Sequence, residues 1–117
     1  MEYIIIIVAI VLWWLFSHKA AKGINQIQTS ALHEMLTQSE HVFIDVRTPA
    51  EYKANNIKQF RNMPLGSDMS VLPKEKNIVV ICQSGMRSMQ ASKRLKKLGY
   101  TSVTNVKGGM SAYRNNM

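Results

Sequence analysis

The sequence predicts an α/β fold, with a mainly parallel central sheet flanked by helices and preceded by one N-terminal hydrophobic helix. Short β-branched runs alternate with segments of helical period, which is typical of strand–helix–strand units in a parallel sheet. In the clearest unit, Ile78 to Ile81 predicts a buried strand, and from Ser88 to Leu98 apolar residues recur on one helical face. The third observation is an unbroken apolar run, Tyr3 to Phe16, ahead of the domain.

Local start and stop signals predict the other elements. Thr29-Ser30 is expected to cap a helix, and Thr48 to Glu51 contains a capping box with proline at the first helical position. One helical turn is expected within residues 65–72, and Gly99 is expected to end the helix that follows the central strand. The predicted strands cover residues 25–28, 42–46, 60–63, 78–81 and 102–106.

The apolar run near the N-terminus predicts a retained membrane anchor. The run from Tyr3 to Phe16 holds 14 residues, against the ~20 that a helical span needs. Glu2 precedes it and positive residues follow it, which is the reverse of a cleaved signal peptide, the main alternative. We therefore expect a transmembrane anchor at residues 1–18, contacting the membrane through residues 3–17, then a linker at 19–24 and the domain at 25–117. Positive charge after the span predicts a single-pass protein of the cell membrane with its domain in the cytoplasm.

Composition narrows the possible functions. The chain has 117 residues, one cysteine and a formal net charge of +8, which predicts a single domain with anionic partners. A lone cysteine excludes an intramolecular disulfide, a CxxC redox pair and a cysteine-rich zinc site. His33 and His41 have no partner at metal-ligand spacing, so both are expected on the exposed surface. No metal, no other cofactor and no nucleic-acid partner is expected, because no motif for them is present.

The lone cysteine, Cys82, stands where the predicted central strand ends and a polar loop leads into a helix. Helix N-termini and nearby cations lower a thiol pKa from about 8.5, and successive backbone N–H groups form anion-binding nests. We therefore expect a thiolate cradled by the loop Gln83-Ser84-Gly85-Met86-Arg87-Ser88, with Arg87 adding a permanent charge. The alternative is an inert cysteine that closes the core strand.

Asp45 and Arg47 lie at the carboxyl end of another predicted strand. A functional interpretation places them beside the Cys82 loop. The favoured interpretation is structural: Arg47 pairs with Asp45 or Glu51 and fixes the turn from strand to helix, because the capping pattern already explains the spacing.

Four motifs in order resemble the rhodanese family of sulfurtransferases, over about residues 25–114. The loop Cys82 to Ser88 is similar to the active-site loop of that family, and Asp45 to Tyr52 resembles its Asp-Val-Arg…Glu-aromatic segment. Asn62 to Leu65 fits the segment that follows, and Gly108 to Tyr113 resembles the closing Gly-Gly…aromatic motif. The chain departs from the family at Asn55 to Phe60, where Gly-His-Ile is usual, and at Tyr113, where tryptophan is usual and where we expect core packing.

The resemblance implies a sulfurtransferase in which Cys82 takes sulfur from an anion such as thiosulfate, forms a persulfide and passes the sulfur to a thiol, a protein or cyanide. The loop residues would bind the persulfide, and Arg87 would help to bind the donor. Related phosphatases and arsenate reductases resemble the family but place five residues between cysteine and arginine. Here four residues separate Cys82 from Arg87, which favours one terminal sulfur over a phosphate. The alternative function is a non-catalytic binding or regulatory module at the membrane.

Overall fold

A computed structural model of the chain describes residues 2–21 and 23–115. Within them, five strands and five α-helices alternate, as the sequence predicts. In chain order they are α1 Glu2–Ala21, β1 Ile24–Ile27, α2 Thr29–Met35, β2 His41–Asp45, α3 Pro49–Ala54, β3 Arg61–Asn62, β4 Asn77–Ile81, α4 Met86–Lys97, β5 Val103–Val106 and α5 Gly109–Asn115, with a 3₁₀ turn at Met69–Val71.

The five strands form one sheet in the order β1-β5-β4-β2-β3, and every neighbouring pair is parallel. The prediction of a parallel sheet flanked by helices is therefore confirmed. Strand β4 lies in the middle, where both of its faces are covered, and four of its five residues are buried. This burial explains why the sequence of β4 is a continuous apolar run.

Two buried clusters cover the two faces of the sheet. One joins Val80 of β4 to Ala91 and Leu95 of α4. The other joins Val79 of β4 to Leu32 of α2 and Met110 of α5, with the half-buried Tyr113 packed against it. The parallel strands therefore send their carboxyl ends, and the loops that follow them, to one edge of a well-packed sheet.

Most local signals hold in the structure, and three need correction. Thr48 and Glu51 form the complete capping box, and a 3₁₀ turn capped by Asp68 lies within residues 65–72. Thr29 is inside α2, whose N-cap is Gln28 with no side-chain capping bond. Helix α4 begins at Met86, two residues before Ser88.

The third correction concerns a histidine. His33 is exposed as expected, but the His41 side chain is only 10% exposed. Its ring hydrogen-bonds to Gln38 at 2.7 Å and to Asn77 at 3.0 Å. These bonds hold the imidazole ring at the start of β2, and the bond to Asn77 joins β2 to the start of β4.

The expected membrane anchor at residues 1–18 is not supported. Helix α1 covers residues 2–18 of this segment and continues to Ala21, into the expected linker 19–24; Met1 and Lys22 lie outside the described residues. Among the residues that the structure describes, no helix combines the length and the apolar character needed to cross a bilayer. The unbroken apolar run is shorter than the ~20 residues that a helical span requires.

Candidate active site

The loop after β4 wraps its backbone around the sulfur of Cys82. Gly85 N–H lies 3.0 Å from Cys82 Sγ, and the Ser88 hydroxyl lies 3.3 Å from it. Gly85 adopts a φ of +99°, in the region that favours glycine, and this bend turns the chain into α4. One amide of the predicted cup, that of Gly85, therefore contacts the sulfur at the amino end of a helix whose dipole favours negative charge.

The sulfur nevertheless lies inside the protein. Cys82 has no exposed surface and belongs to the same apolar cluster as Val80 and Ala91. Burial raises the pKa of the Cys82 thiol, but hydrogen bonds from the Ser88 hydroxyl and from the amides of Ser88, Gly85 and Ser84 outweigh burial and lower that pKa. The Cys82 thiol therefore ionises more readily than a free cysteine in water, because the loop amides and the Ser88 hydroxyl stabilise the thiolate.

The amino end of α5 clamps the carboxyl end of β4 from behind. Met110 N–H donates to Cys82 O at 2.8 Å, and Ser111 N–H donates to Gln83 O at 3.0 Å. Gly109, with φ +57°, makes this approach possible, because a Cβ there would lie 2.2 Å from Cys82 O. The Gly108-Gly109 pair thus positions the reactive loop, which the sequence alone indicated only as a close backbone approach.

Asp45 and Arg47 form a buried ion pair beside this loop. Both side chains are at most 1% exposed, and Arg47 Nη2 lies 2.8 Å from Asp45 Oδ2. The Arg47 guanidinium also donates to the backbone oxygens of Glu51 and Asn55 and to Asn55 Oδ1. Because its donors meet protein acceptors on several sides, Arg47 holds the turn between β2 and α3, in agreement with the structural interpretation.

Arg47 also reaches the cysteine loop. Its Nη1 lies 3.4 Å from Gln83 Oε1, and Gln83 Nε2 donates to the Ser111 hydroxyl at 3.0 Å. Gln83 therefore ties the loop to the β2 turn on one side and to α5 on the other.

Arg87 lies at the rim of the site and has an acidic partner that sequence reasoning missed. Its Nη1 and Nη2 lie 2.6 and 2.9 Å from the two carboxylate oxygens of Glu51. Each side chain is about a third exposed. The hydrogen bond from Arg87, together with that from the Thr48 backbone, lowers the pKa of Glu51 to about 2. Glu51 thus takes part in both a capping box and an ion pair. The ion pair could not be predicted from neighbouring residues, because its partner is 36 residues away.

The remaining loop side chains are placed differently. Ser84 and Met86 are exposed, with Met86 at 75%, while Ser88 is fully buried against the sulfur. Among the residues described, no cluster of three or more histidine, cysteine, aspartate or glutamate side chains is able to hold a metal ion. The arrangement places one thiol against hydrogen-bond donors that are able to stabilise a sulfur anion.

A family model described as the rhodanese-like domain matches residues 28–116. The chain belongs to the rhodanese-like domain family. The resemblance to the rhodanese family, inferred from four sequence motifs, is therefore confirmed.

Relatives that this chain covers over most of their length support the assignment to the rhodanese-like domain family. A protein of Allochromatium vinosum named "Sulfurtransferase" is 36% identical over 94 residues, covering 77% of this chain and 88% of the relative. "Thiosulfate sulfurtransferase 16, chloroplastic" of Arabidopsis thaliana is 32% identical over 107 residues, covering 79% and 88%. The crystal structure of a rhodanese-like domain protein from Staphylococcus aureus aligns with a TM-score of 0.68 at 29% identity, covering 76% and 90%.

Proposed function

We propose that this rhodanese-like chain is a sulfurtransferase that carries sulfur as a Cys82 persulfide, with thiosulfate as a donor and a thiol, a carrier protein or cyanide as the acceptor. Relatives named as sulfurtransferases support sulfur transfer in general. The single observation that carries the proposal is the Gly85 amide, 3.0 Å from the sulfur, in a loop that lowers the pKa of Cys82.

The first half-reaction forms the persulfide. The Cys82 thiolate attacks the outer sulfur of thiosulfate, a new S–S bond forms, and the old S–S bond breaks with its electron pair leaving on sulfite. The negative charge moves one atom outward, onto the terminal sulfur of the persulfide. The loop amides and the Ser88 hydroxyl stabilise sulfur anions in this cup without having to reorganise.

The second half-reaction empties the site. An acceptor thiolate or cyanide attacks the terminal sulfur, and the Cys82 thiolate leaves with the electron pair of the S–S bond. The chain contains one cysteine, so no internal thiol resolves the persulfide and the sulfur passes to an outside acceptor.

Arg87 is proposed to bind the donor by exchanging partners. At rest its guanidinium is held by the Glu51 carboxylate. An incoming dianion is expected to attract the same guanidinium, whose charge also interacts electrostatically with Cys82. In this proposal Glu51 holds Arg87 at the rim until the donor arrives.

Intact-mass spectrometry of the full chain after thiosulfate treatment tests the proposal. The expected product is the protein plus one sulfur atom, with loss of that sulfur and release of thiocyanate on adding cyanide. Cys82→Ser is expected to take up none, and Ser84→Ala, which removes only an exposed hydroxyl, is expected to load normally. Failure of the wild-type chain to load from thiosulfate and from other sulfane donors would contradict the proposal.

A non-catalytic binding or regulatory module is the second candidate, and the burial of the sulfur favours it. Cys82 has no exposed surface, as in a cysteine that only completes a core. Multiple turnovers with a thiol acceptor separate the two functions. Stoichiometric loading without turnover would support the module, and repeated turnover would exclude it.

We also propose that the chain works at the cell membrane with its domain in the cytoplasm, on sequence grounds alone. The supporting features are the apolar run from Tyr3 to Phe16 and the positive residues that follow it. A reducing compartment keeps a lone thiol available. Fractionation of cells that express the full chain, followed by alkaline extraction and protease protection, tests this location. Recovery in the supernatant before extraction would contradict it.

A further inference from the structure

A cavity lies on the face of the sheet covered by α2 and α5, opposite the face that carries α4. Its volume is about 430 Å³, within the usual range for small-molecule sites. Leu36 at the end of α2, residues 55–59, and Met110 and Tyr113 of α5 line it. Cys82 is not among its described lining residues, so the cavity is separate from the sulfur cup. We call it the α5 cavity.

The α5 cavity is lined at both places where this chain departs from the pattern of the rhodanese-like family. Residues 55–60 stand where Gly-His-Ile is usual, and five of them, 55–59, line the cavity. Tyr113 stands where tryptophan is usual, and it also lines the cavity. Because a phenol ring is smaller than an indole ring, tyrosine leaves more room here than tryptophan does. The cavity is therefore a feature of this chain's own sequence.

One part of the cavity wall is apolar. Ile57 and Met110 are buried in the cluster that covers this face of the sheet, and Leu36 and Tyr113 are half-buried against the same cluster. The two half-buried side chains keep surface that a ligand is able to contact. An apolar chain or ring in the cavity would remove this surface from water, which favours binding.

The exposed part of the wall is basic. Lys58 and Arg114 line the cavity, and no aspartate or glutamate is among its described lining residues. Neither cation forms an ion pair with another described residue. An ammonium and a guanidinium without a carboxylate favour an anion, and the guanidinium fork matches the two oxygens of a carboxylate. The ligand therefore combines an apolar body with a carboxylate.

We propose that the α5 cavity binds a carboxylate with an apolar tail, the tail lying against Tyr113 and the carboxylate pairing with Lys58 and Arg114. This site does not depend on the proposed sulfur transfer. It adjoins the sulfur cup through one residue: Met110 lines the cavity, and its N–H donates to Cys82 O at 2.8 Å.

Titration of the full chain with octanoate, below the concentration at which it forms micelles, tests the proposal by calorimetry and by amide shifts of Met110 and Ser111 in NMR spectra. Octanol keeps the tail without the charge, and acetate keeps the charge without the tail. Each is expected to bind at least tenfold more weakly than octanoate. Hexanoate, two methylenes shorter, is expected to bind about tenfold more weakly. The same titration on Cys82→Ser is expected to give the octanoate affinity of the wild type, which keeps this result independent of any sulfur chemistry.

Variants identify the contacts. Tyr113→Trp introduces the residue that is usual in the family, so it is expected to fold, and its larger ring is expected to fill the cavity and lower octanoate affinity at least tenfold. Lys58→Gln and Arg114→Gln are each expected to lower affinity severalfold. Lys97→Gln removes an exposed cation of α4, on the opposite face of the sheet, and is the matched control that is expected to have no effect.

Four results would overturn the proposal. Equal binding of octanoate and octanol would show that the carboxylate meets no cation. An unchanged affinity in Tyr113→Trp would place the ligand elsewhere, for example on the exposed apolar side chains of α1. An effect of Lys97→Gln equal to those of Lys58→Gln and Arg114→Gln would show only general attraction to a basic protein. Absence of octanoate binding at millimolar concentration would exclude the site.

Discussion

The clamp between α5 and the cysteine loop gives the sharpest test of how the site is held. In Gly109→Ala the new methyl group would lie 2.2 Å from Cys82 O and 2.8 Å from the backbone carbonyl of Gln83. These are backbone atoms, so no side-chain rotation relieves the contact. Helix α5 must move away from the loop, and the two hydrogen bonds from Met110 and Ser111 lengthen or break.

The structure supplies a matched control for backbone strain. Gly66 also has a positive φ, +103°, but a Cβ there would meet nothing within 4 Å. Alanine in such a conformation costs about 1 kcal/mol at either position. Loss of two backbone hydrogen bonds adds about 1 kcal/mol each. We therefore expect Gly109→Ala to lose about 3 kcal/mol of unfolding free energy, against about 1 kcal/mol for Gly66→Ala.

Urea denaturation at neutral pH measures both losses, and the rate of Cys82 alkylation against pH reports on the loop itself. Gly109→Ala is expected to raise the pKa of Cys82, because the amides that surround the sulfur are displaced. Gly66→Ala is expected to leave that titration unchanged. Equal losses of stability in the two variants, or an unchanged Cys82 titration in Gly109→Ala, would refute the role given to the clamp.

Three further substitutions separate the contributions to the site. Ser88→Ala is expected to raise the pKa of Cys82, seen as an alkylation profile moved to higher pH, because the Ser88 hydroxyl is the largest cause that lowers it. Glu51→Gln removes a carboxylate whose pKa is about 2 in the folded protein and 4.5 in the reference state. Its stabilising effect is therefore present above about pH 4.5 and is lost as the pH falls toward 2, so wild-type urea midpoints are expected to decline across that window more than those of the variant. Arg47→Lys leaves a buried carboxylate without its planar partner and is expected to cost about 3–5 kcal/mol in urea denaturation.

Each of these predictions has a control and a contradicting result. Ser84→Ala keeps the amide near the sulfur and is expected to leave the alkylation profile in place, so equal shifts would remove the special role of Ser88. Glu75→Gln changes an exposed carboxylate, and the same pH dependence there as in Glu51→Gln would point to general charge effects. Arg61→Lys is the exposed counterpart of Arg47→Lys. A loss below about 1 kcal/mol at Arg47 would contradict the buried pairing.

The sequence predicted what is encoded locally. The strand 78–81, the capping box of α3 and the end of α4 before Gly99 each depend on residues within a few positions of one another, and each is present. The start of α4 was placed two residues late, because its first turn is set by the left-handed bend at Gly85 rather than by apolar period. The cap of α2 was misplaced by one residue, because Thr29 is already helical and the N-cap is Gln28.

The sequence could not predict contacts between segments that are distant along the chain. Glu51 was interpreted through its neighbour Thr48, whereas its carboxylate also holds Arg87, 36 residues away. Asn55 appeared only as a departure from the family pattern, yet it accepts two hydrogen bonds from the buried Arg47. The buried Oδ1 of Asn105 has no hydrogen-bond partner within the described part of the chain; this depends on which residues flank β5 in the sheet, and that order becomes known only from the topology.

The two descriptions of Cys82, core residue and reactive thiolate, are compatible because they refer to different sides of the same sulfur. Burial among aliphatic neighbours raises the pKa of Cys82, while the loop amides and the Ser88 hydroxyl lower that pKa by more. The pKa of this thiol is therefore lowered by the Ser88 hydroxyl and by the loop amides. In the proposed persulfide the charged sulfur lies one S–S bond, about 2 Å, beyond Cys82 Sγ. In the proposed cycle the buried thiolate and the loaded persulfide are two stages held by the same loop, and loss of the clamp at Gly109 is expected to disturb both.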